Sequence, residues 1–588
     1  MNGGMAGDEN EPAPGAGPNG EAPAGETPGQ TVGETTGHLA DPAPDRTVDE
    51  PSEQAVAPGA DENTADGGEA GGDTGRSRRA AGRARPGGRR IDLDVVMRVV
   101  GYRYATALLV LLALLALYGV AAFSRPSGTA RAQGGTAPVT SAVLGCPAPA
   151  GARISALSVA LPGSTGRVDL APTKGGAAIN VGPVAGAAWS KEFRRASGSA
   201  SGDGDGNGTT GSHTVRADGA LAGGLEVEQT SAVGKGDDRG LAGVRCTEPG
   251  TDMWFLGPGP VDAEEIEVHL TNVDDQPAAV DTLAMSGEGP LDTTDGRGTS
   301  VPPHSDLSVR IGKTPEGLGD IVETARVLAL NVRVTTGRVA AAVRIRVGDR
   351  KGVDWLPAAA PPATDVVVPG IPGGSGRRQL LVAVPGEADA RVGMRVMTPD
   401  GSFAPEGRGT LDAPAQTVTP VDLERALSGK PAAIRLTSDR PIAVGFTVRQ
   451  GADVAYGSAT PPLGPGPLAS GGVVSGNRDD TVVLLTAPTG AASVRVSAVG
   501  AQGAAGSPQE VKIAAERTVQ VPVPVPPGGQ DGFGVLITPL PGSGPVYAAR
   551  VLSTGKGSDK LLTILPVGPA LVSVARPPVG DSLTSLIP

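Results

Sequence analysis

The chain has 588 residues, including 90 glycines and 55 prolines, only 2% aromatic residues and a net charge of −12. So few aromatics exclude a large aromatic-lined pocket or stacking platform, and the acidic balance excludes nucleic acid as the main partner. The length leaves room for several domains, and Val-rich runs punctuated by Gly and Pro point to strands.

Residues 1–75 are acidic, rich in Gly, Pro, Ala and Glu, and nearly free of bulky apolar side chains. Such text buries too little surface to offset its ordering entropy, so it reads as a disordered cytoplasmic tail. Residues 76–103 are a basic juxtamembrane segment containing RSRRAAGRARPGGRR. It sets topology, and it can rest on anionic head groups. Residues 104–123, YATALLVLLALLALYGVAAF, carry no charge and have the length of a membrane-spanning helix. The positive-inside rule then places the N-terminus in the cytoplasm and the bulk of the chain outside, as a single-pass signal-anchor protein of the cell membrane. A cleaved signal peptide is the alternative, but the prelude is far longer than an ordinary n-region. Residues 124–143 read as a short stalk.

Cys146 and Cys246 are the two cysteines of the chain, and both fall on the exported side of this topology. Compartment and parity predict one disulfide between them.

Beyond Cys146 two phrases recur in order. The first is an alternating segment, a Gly or Pro turn and a small-residue apolar run: DDRGLAGVRC, TTGRVAAAVRIR, SDRPIAVGFTVR and GSGPVYAARVLS. Aligned on Leu241, Val339, Ile442 and Val546, it repeats at intervals of 98, 103 and 104 residues. It reads as a hairpin. The second phrase, strand, polar loop, strand and Gly-ended turn, aligns on Val168, Val280, Val392 and Val494 at intervals of 112, 112 and 102. Four degenerate units follow: 144–250, 251–377 with a linker, 378–479 with a linker, and 480–588 with added C-terminal strands. Units of that size suit tandem immunoglobulin-like β-sandwiches in a mainly β chain; a propeller-like or fused β-sheet array is the alternative.

Motifs with chemistry are sparse. GDGDGNG at 202–208 matches the front of a calcium loop, but its twelfth position is Thr214 instead of Glu, so it reads as an insertion. Ser553 to Lys556 fits S-x-x-K without the companions that motif needs. His38, His213, His269 and His304 are scattered. No catalytic residue, cofactor or metal ligand is expected. Trp254, Phe255 and Trp355 are read as core or inter-unit anchors, with a recognition patch as the sharper alternative.

At DMWFLGPG, EVHLTNVDDQPAAVD, VPPHS and GVDWLPAAAPPATDVVVPGIP the chain resembles an actinobacterial family of exported proteins, domain of unknown function family 5719. The likeness runs from about Cys146 to the C-terminus. It implies export and supplies no activity and no site residues. The expected function is a non-enzymatic envelope scaffold or interaction protein, whose partners are the membrane and either envelope proteins or a cell-wall polymer. The alternative is a catalytic or accessory subunit acting on cell-wall carbohydrate, which would need two convergent carboxylates in one pocket.

Overall fold

The computed structural model describes residues 93–123, 135–149, 151–182, 184–193, 211–349, 351–464, 469–478, 480–503 and 505–577. The acidic tail, the basic run before residue 93 and the calcium-like loop lie outside them. Helix α1 (Leu93–Phe123) contains the expected span and extends it by the 11 residues that carry Arg98 and Arg103. Its part Tyr104–Phe123 is long and apolar enough to cross a membrane. At 1.5 Å per residue α1 is about 46 Å long, more than a bilayer's hydrocarbon core of about 30 Å.

The rest is strand. β1 (Thr136–Pro138) pairs antiparallel with the last described strand, and it falls in the segment read as a stalk. The first group is β2 (Ser141–Cys146), β3 (Arg153–Ser158), β4 (Gly166–Pro172), β5 (Ile179–Asn180), β6 (Trp189–Glu192), β7 (His213–Gly219), β8 (Leu225–Val233) and β9 (Gly240–Arg245). The second is β10 (Asp252–Pro258), β11 (Glu265–Asn272), β12 (Ala278–Met285), β13 (Pro290–Leu291), β14 (Thr299–Val301), β15 (Ser305–Arg310), β16 (Val327–Thr336), β17 (Ala340–Arg346) and β18 (Val353–Leu356). The third is β19 (Ala363–Ile371), β20 (Arg377–Ala383), β21 (Ala390–Met397), β22 (Ser402–Phe403), β23 (Thr410–Ala413), β24 (Val418–Asp422), the one-turn helix α2 (Glu424–Leu427), β25 (Ala432–Gln450) and β26 (Asp453–Ser458). The fourth is β27 (Ala469–Asn477), β28 (Thr481–Ala487), β29 (Ala492–Val499), β30 (Gln509–Ile513), β31 (Arg517–Pro522), β32 (Phe533–Pro539), β33 (Tyr547–Thr554), β34 (Leu561–Val567) and β35 (Pro569–Leu571). β36 (Ser573–Ala575) closes on β1.

Each group is two antiparallel sheets over one apolar core. In the first, β2-β7-β4-β5 and β6-β3-β8-β9 share a core that includes Ile154, Val168, Val215 and Val227. The second and fourth groups repeat the order: β10-β16-β12-β13 with β15-β11-β17-β18, and β27-β32-β29-β30 with β34-β33-β28-β31. In the third group the 19-residue β25 runs through both sheets and joins them into one eight-stranded sheet. The strand order differs from the ABED/CFG arrangement of immunoglobulin constant domains. The boundaries expected from sequence also shift. Segments expected as linkers at 357–378 and 460–476, with DVVVPGIP allowed as an edge strand, hold β19 and nearly all of β27, which pair within the third and fourth groups.

The second recurring phrase marks one equivalent strand four times. Val168, Val280, Val392 and Val494 lie on β4, β12, β21 and β29, all essentially inaccessible to solvent. Burying one such side chain contributes roughly 1.5 to 3 kcal/mol. The first phrase needs correction. Only DDRGLAGVRC closes a hairpin, β8 against β9. At TTGRVAAAVRIR the chain leaves β16 and enters β17 in the facing sheet, with Gly337 at φ 76° in the turn. The same crossing joins β32 to β33, and at SDRPIAVGFTVR it occurs inside the continuous β25. Leu241 therefore sits one strand later than Val339, Ile442 and Val546. Alternation, turn and apolar run read alike whether the chain turns back in its own sheet or crosses to the opposite one.

The four groups pack in a closed circuit. β9 lies against β18, β18 against β26, β26 against β34, and β34 against β9. Each seam has its own small apolar cluster: Ala242, Val244 and Trp355 between the first and second groups, and Leu256, Leu381 and Ala443 between the second and third. Val367, Met397 and Tyr547 join the third to the fourth, and Leu157, Val473 and Ala570 the fourth to the first. Backbones come close where the circuit meets. A Cβ on Gly240 would lie 2.6 Å from the Val353 carbonyl oxygen.

Candidate functional site

Two places gather chemistry: a buried charged hub where the four closing strands meet, and an open cleft beside it. In the hub, Arg550 of β33 donates from Nη2 to Glu228 Oε1 of β8 at 2.5 Å, and neither side chain is exposed. Asp354 of β18 accepts from the Gly243 amide of β9 at 3.0 Å and from the Thr563 hydroxyl of β34 at 3.0 Å. Asp453, the first residue of β26, accepts from the Leu562 amide of β34 at 2.8 Å. Arg239, just before β9, donates to the Ala452 carbonyl at 2.5 Å. Every group of strands thus contributes a polar contact to the hub. Gly243 is a close-approach position: a Cβ there would lie 3.1 Å from Thr563 Oγ1 and 3.2 Å from Arg550 Nη2.

Burial sets the protonation of these acids. It pushes the Glu228 carboxyl up to about 7, against the opposing pull of Arg550. It pushes Asp453 up to about 7 against its backbone hydrogen bonds, and Asp354 well above the usual carboxylate range. Each of these acids has a folded pKa above its unfolded one, so its stabilisation is full below the unfolded value and fades as pH rises through the folded value. His213 acts in the opposite direction: burial lowers it from 6.5 to about 4, so its contribution is lost as pH falls below 6.5. The thermal midpoint is therefore expected to fall by a few degrees between pH 6.5 and 8.5. A scan by circular dichroism in matched ionic strength checks it; a rising midpoint over that window contradicts the buried-acid assignment.

The cleft has a volume of about 560 Å³ and is lined from the first and fourth groups and the turn before β17. Its lining includes residues 141–144 of β2 and the apolar side chains of Leu225, Val473 and Leu571. Its polar groups are Ser141, Glu226, Arg245, Thr247, Glu248 and Arg338. Arg245 Nε donates to Glu226 at 2.7 Å, and burial raises the Glu226 carboxyl despite that partner. Arg338 donates to both oxygens of Asp274, at 2.7 and 3.0 Å. Glu248 is exposed and forms no direct salt bridge among the described residues, though it lies close enough to Arg338 to favour that guanidinium's charge.

Of the residues singled out from sequence, Trp355 adjoins the hub, its backbone hydrogen-bonded to the Asp354 carboxylate. Cys146 and Cys246 are bonded, with Cα atoms 4.4 Å apart, and tie the end of β2 to the residue after β9. Phe255 is in the core of the second group. Trp254 packs at the seam to the third group, and Trp355 at the seam to the first. Their geometry is that of packing anchors. The arginines of TTGRVAAAVRIR are committed as well: Arg344 donates to Asp238 across a seam at 2.9 Å, and Arg346 pairs with Glu264 and Glu265. Ser553 and Lys556 flank the end of β33. Sequence reasoning missed Glu228, Asp354, Asp453 and Arg550. The signal was present as single charges inside apolar runs: EVEQT, GVDWL, ADVAY and YAARVL.

No curated protein and no solved structure matches the chain. One family model does, over residues 200–524, more than half of the length and from within the first strand group into the fourth. That model is described as a family of unknown function, and the chain belongs to it: DUF5719.

Proposed function

We propose that the protein is a membrane-anchored, non-enzymatic interaction protein that holds its β circuit outside the cytoplasm and binds an envelope protein or a cell-wall polymer there. The observation that carries this reading is the use of the buried charges. Glu228, Asp354, Asp453 and Arg550 bridge strand groups to one another, as elements of a rigid frame, instead of converging on an open pocket. The span Tyr104–Phe123 and the excess of Arg ahead of it support the anchoring and the orientation. A rigid frame with few aromatics offers surfaces and strand edges to partners.

The test is photocrosslinking in intact cells from a reactive residue placed at Ser141, followed by identification of the captured species. One dominant envelope partner is expected. An even spread of abundant neighbours would remove the support. One observation favours the carbohydrate-cleaving alternative: Glu226 and Glu248 line the same cleft, and burial raises Glu226 as a general acid requires. Hydrolysis of a wall glycan by the full chain, abolished by Glu226→Gln, would establish that reading.

A further inference from the structure

The edge of β2 is occupied at both ends and open between them. In an antiparallel ladder the backbone groups of alternate residues face one neighbour, and those of the others face away. The Thr140 carbonyl accepts from the Gly219 amide at the end of β7, and the β2–β7 register is unbroken from Ser141 to Cys146. Val139, Ser141, Val143 and Gly145 therefore face outward. Val139 donates to the Val572 carbonyl at 2.9 Å. Gly145 donates to the Thr247 carbonyl at 2.8 Å and accepts from the Thr247 amide at 3.1 Å. Ser141 and Val143 lie between, and among the described residues their outward backbone groups have no protein partner. Both residues line the cleft.

We propose that this gap binds a short extended peptide with a free amino terminus, which adds as an antiparallel strand to Ser141 and Val143. Three features fix the class. The open donors and acceptors match the backbone of an extended strand added to a sheet edge. Val139 and Gly145 are about 20 Å apart along the strand, and both are already covered, so three to four residues fit. An occupant antiparallel to β2 begins at the Gly145 end, beside Thr247 and Glu248. There the exposed Glu248 carboxylate makes no direct salt bridge among the described residues: Arg338, which feels its charge, is hydrogen-bonded to Asp274, and Arg245 to Glu226. An α-ammonium group there would give Glu248 a direct salt-bridge partner. The walls of Leu225, Val473 and Leu571 suit small aliphatic side chains.

This inference rests on the cleft's being the binding surface of the proposed function. The test uses the full chain in detergent and the tripeptide amide Ala-Val-Ala, with calorimetry or ligand-observed NMR as readout. Saturable binding is expected. Acetylating its amino terminus should weaken binding about five-fold or more, and Glu248→Gln should remove that difference. Val143→Pro deletes an outward N–H at an edge position where proline is tolerated, and should weaken binding at least ten-fold. N-methylation of the central peptide residue should do the same with the parent protein, independently of any folding defect. Absence of saturable binding overturns the proposal, as does indifference to N-methylation. Binding of a neutral glycan tetramer in place of the peptide also overturns it and favours the carbohydrate reading. A crosslinked envelope partner in cells without peptide binding would defeat this inference while leaving the proposed function intact.

Discussion

Arg550→Ala is expected to be the most damaging single substitution, lowering stability by about 3 to 5 kcal/mol, because it leaves the buried Glu228 without its counter-charge. Arg550 and Glu228 have no solvent exposure, and their contact joins the fourth strand group to the first. Desolvation already raises Glu228 to about 7, and without Arg550 it rises further. The loss is therefore expected to shrink at pH 5, where the carboxyl is neutral, and to be largest above pH 7. The double variant Glu228→Leu, Arg550→Met removes both charges and should recover most of the loss, since an apolar pair of similar volume often matches a buried ion pair. Denaturant midpoints at pH 5 and pH 8 for the single and double variants measure this. Equal losses at the two pH values would contradict the account.

Breaking the Cys146–Cys246 bond is expected to cost nearly as much. The bond spans 100 residues, for which the chain-entropy model gives about 4 to 5 kcal/mol. It ties the first core strand of its group to the segment after the last, so its loss frees both ends of β2 and β9 together. Replacing both cysteines by serine should lower the thermal midpoint and expose the first group to proteolysis before the others. Limited digestion with mass spectrometry reads the order of cleavage. Simultaneous cleavage of all four groups would show that the circuit unfolds as one unit, with the bond acting globally.

Much of the fold was legible. A 20-residue uncharged run admits only a helix in a bilayer, because the backbone must satisfy itself there. Val-rich alternation predicted strands, and the valines of the second phrase marked one buried strand in all four groups. The candidate site was much less legible. Glu228 and Arg550 are 322 residues apart, and nothing local couples them. Asp354 in GVDWLP has nothing local to mark it, yet it is fully buried and serves three strand groups. The open edge at Ser141 and Val143 lay inside the segment taken for a stalk, because a strand's free edge is defined by which neighbours are missing.

The sequence by itself determined the elements: where the chain is apolar along a whole helix, where it alternates, and where it turns. Periodicity is a local property, and burial of each strand's apolar face follows from it. Only the tertiary structure decided which sheet each strand joins, that the four groups close on one another, and that lone charges meet at the closure. A turn such as the one at Gly337 permits either a hairpin or a crossing. Packing against distant strands chooses between them, and that choice creates both the hub and the cleft.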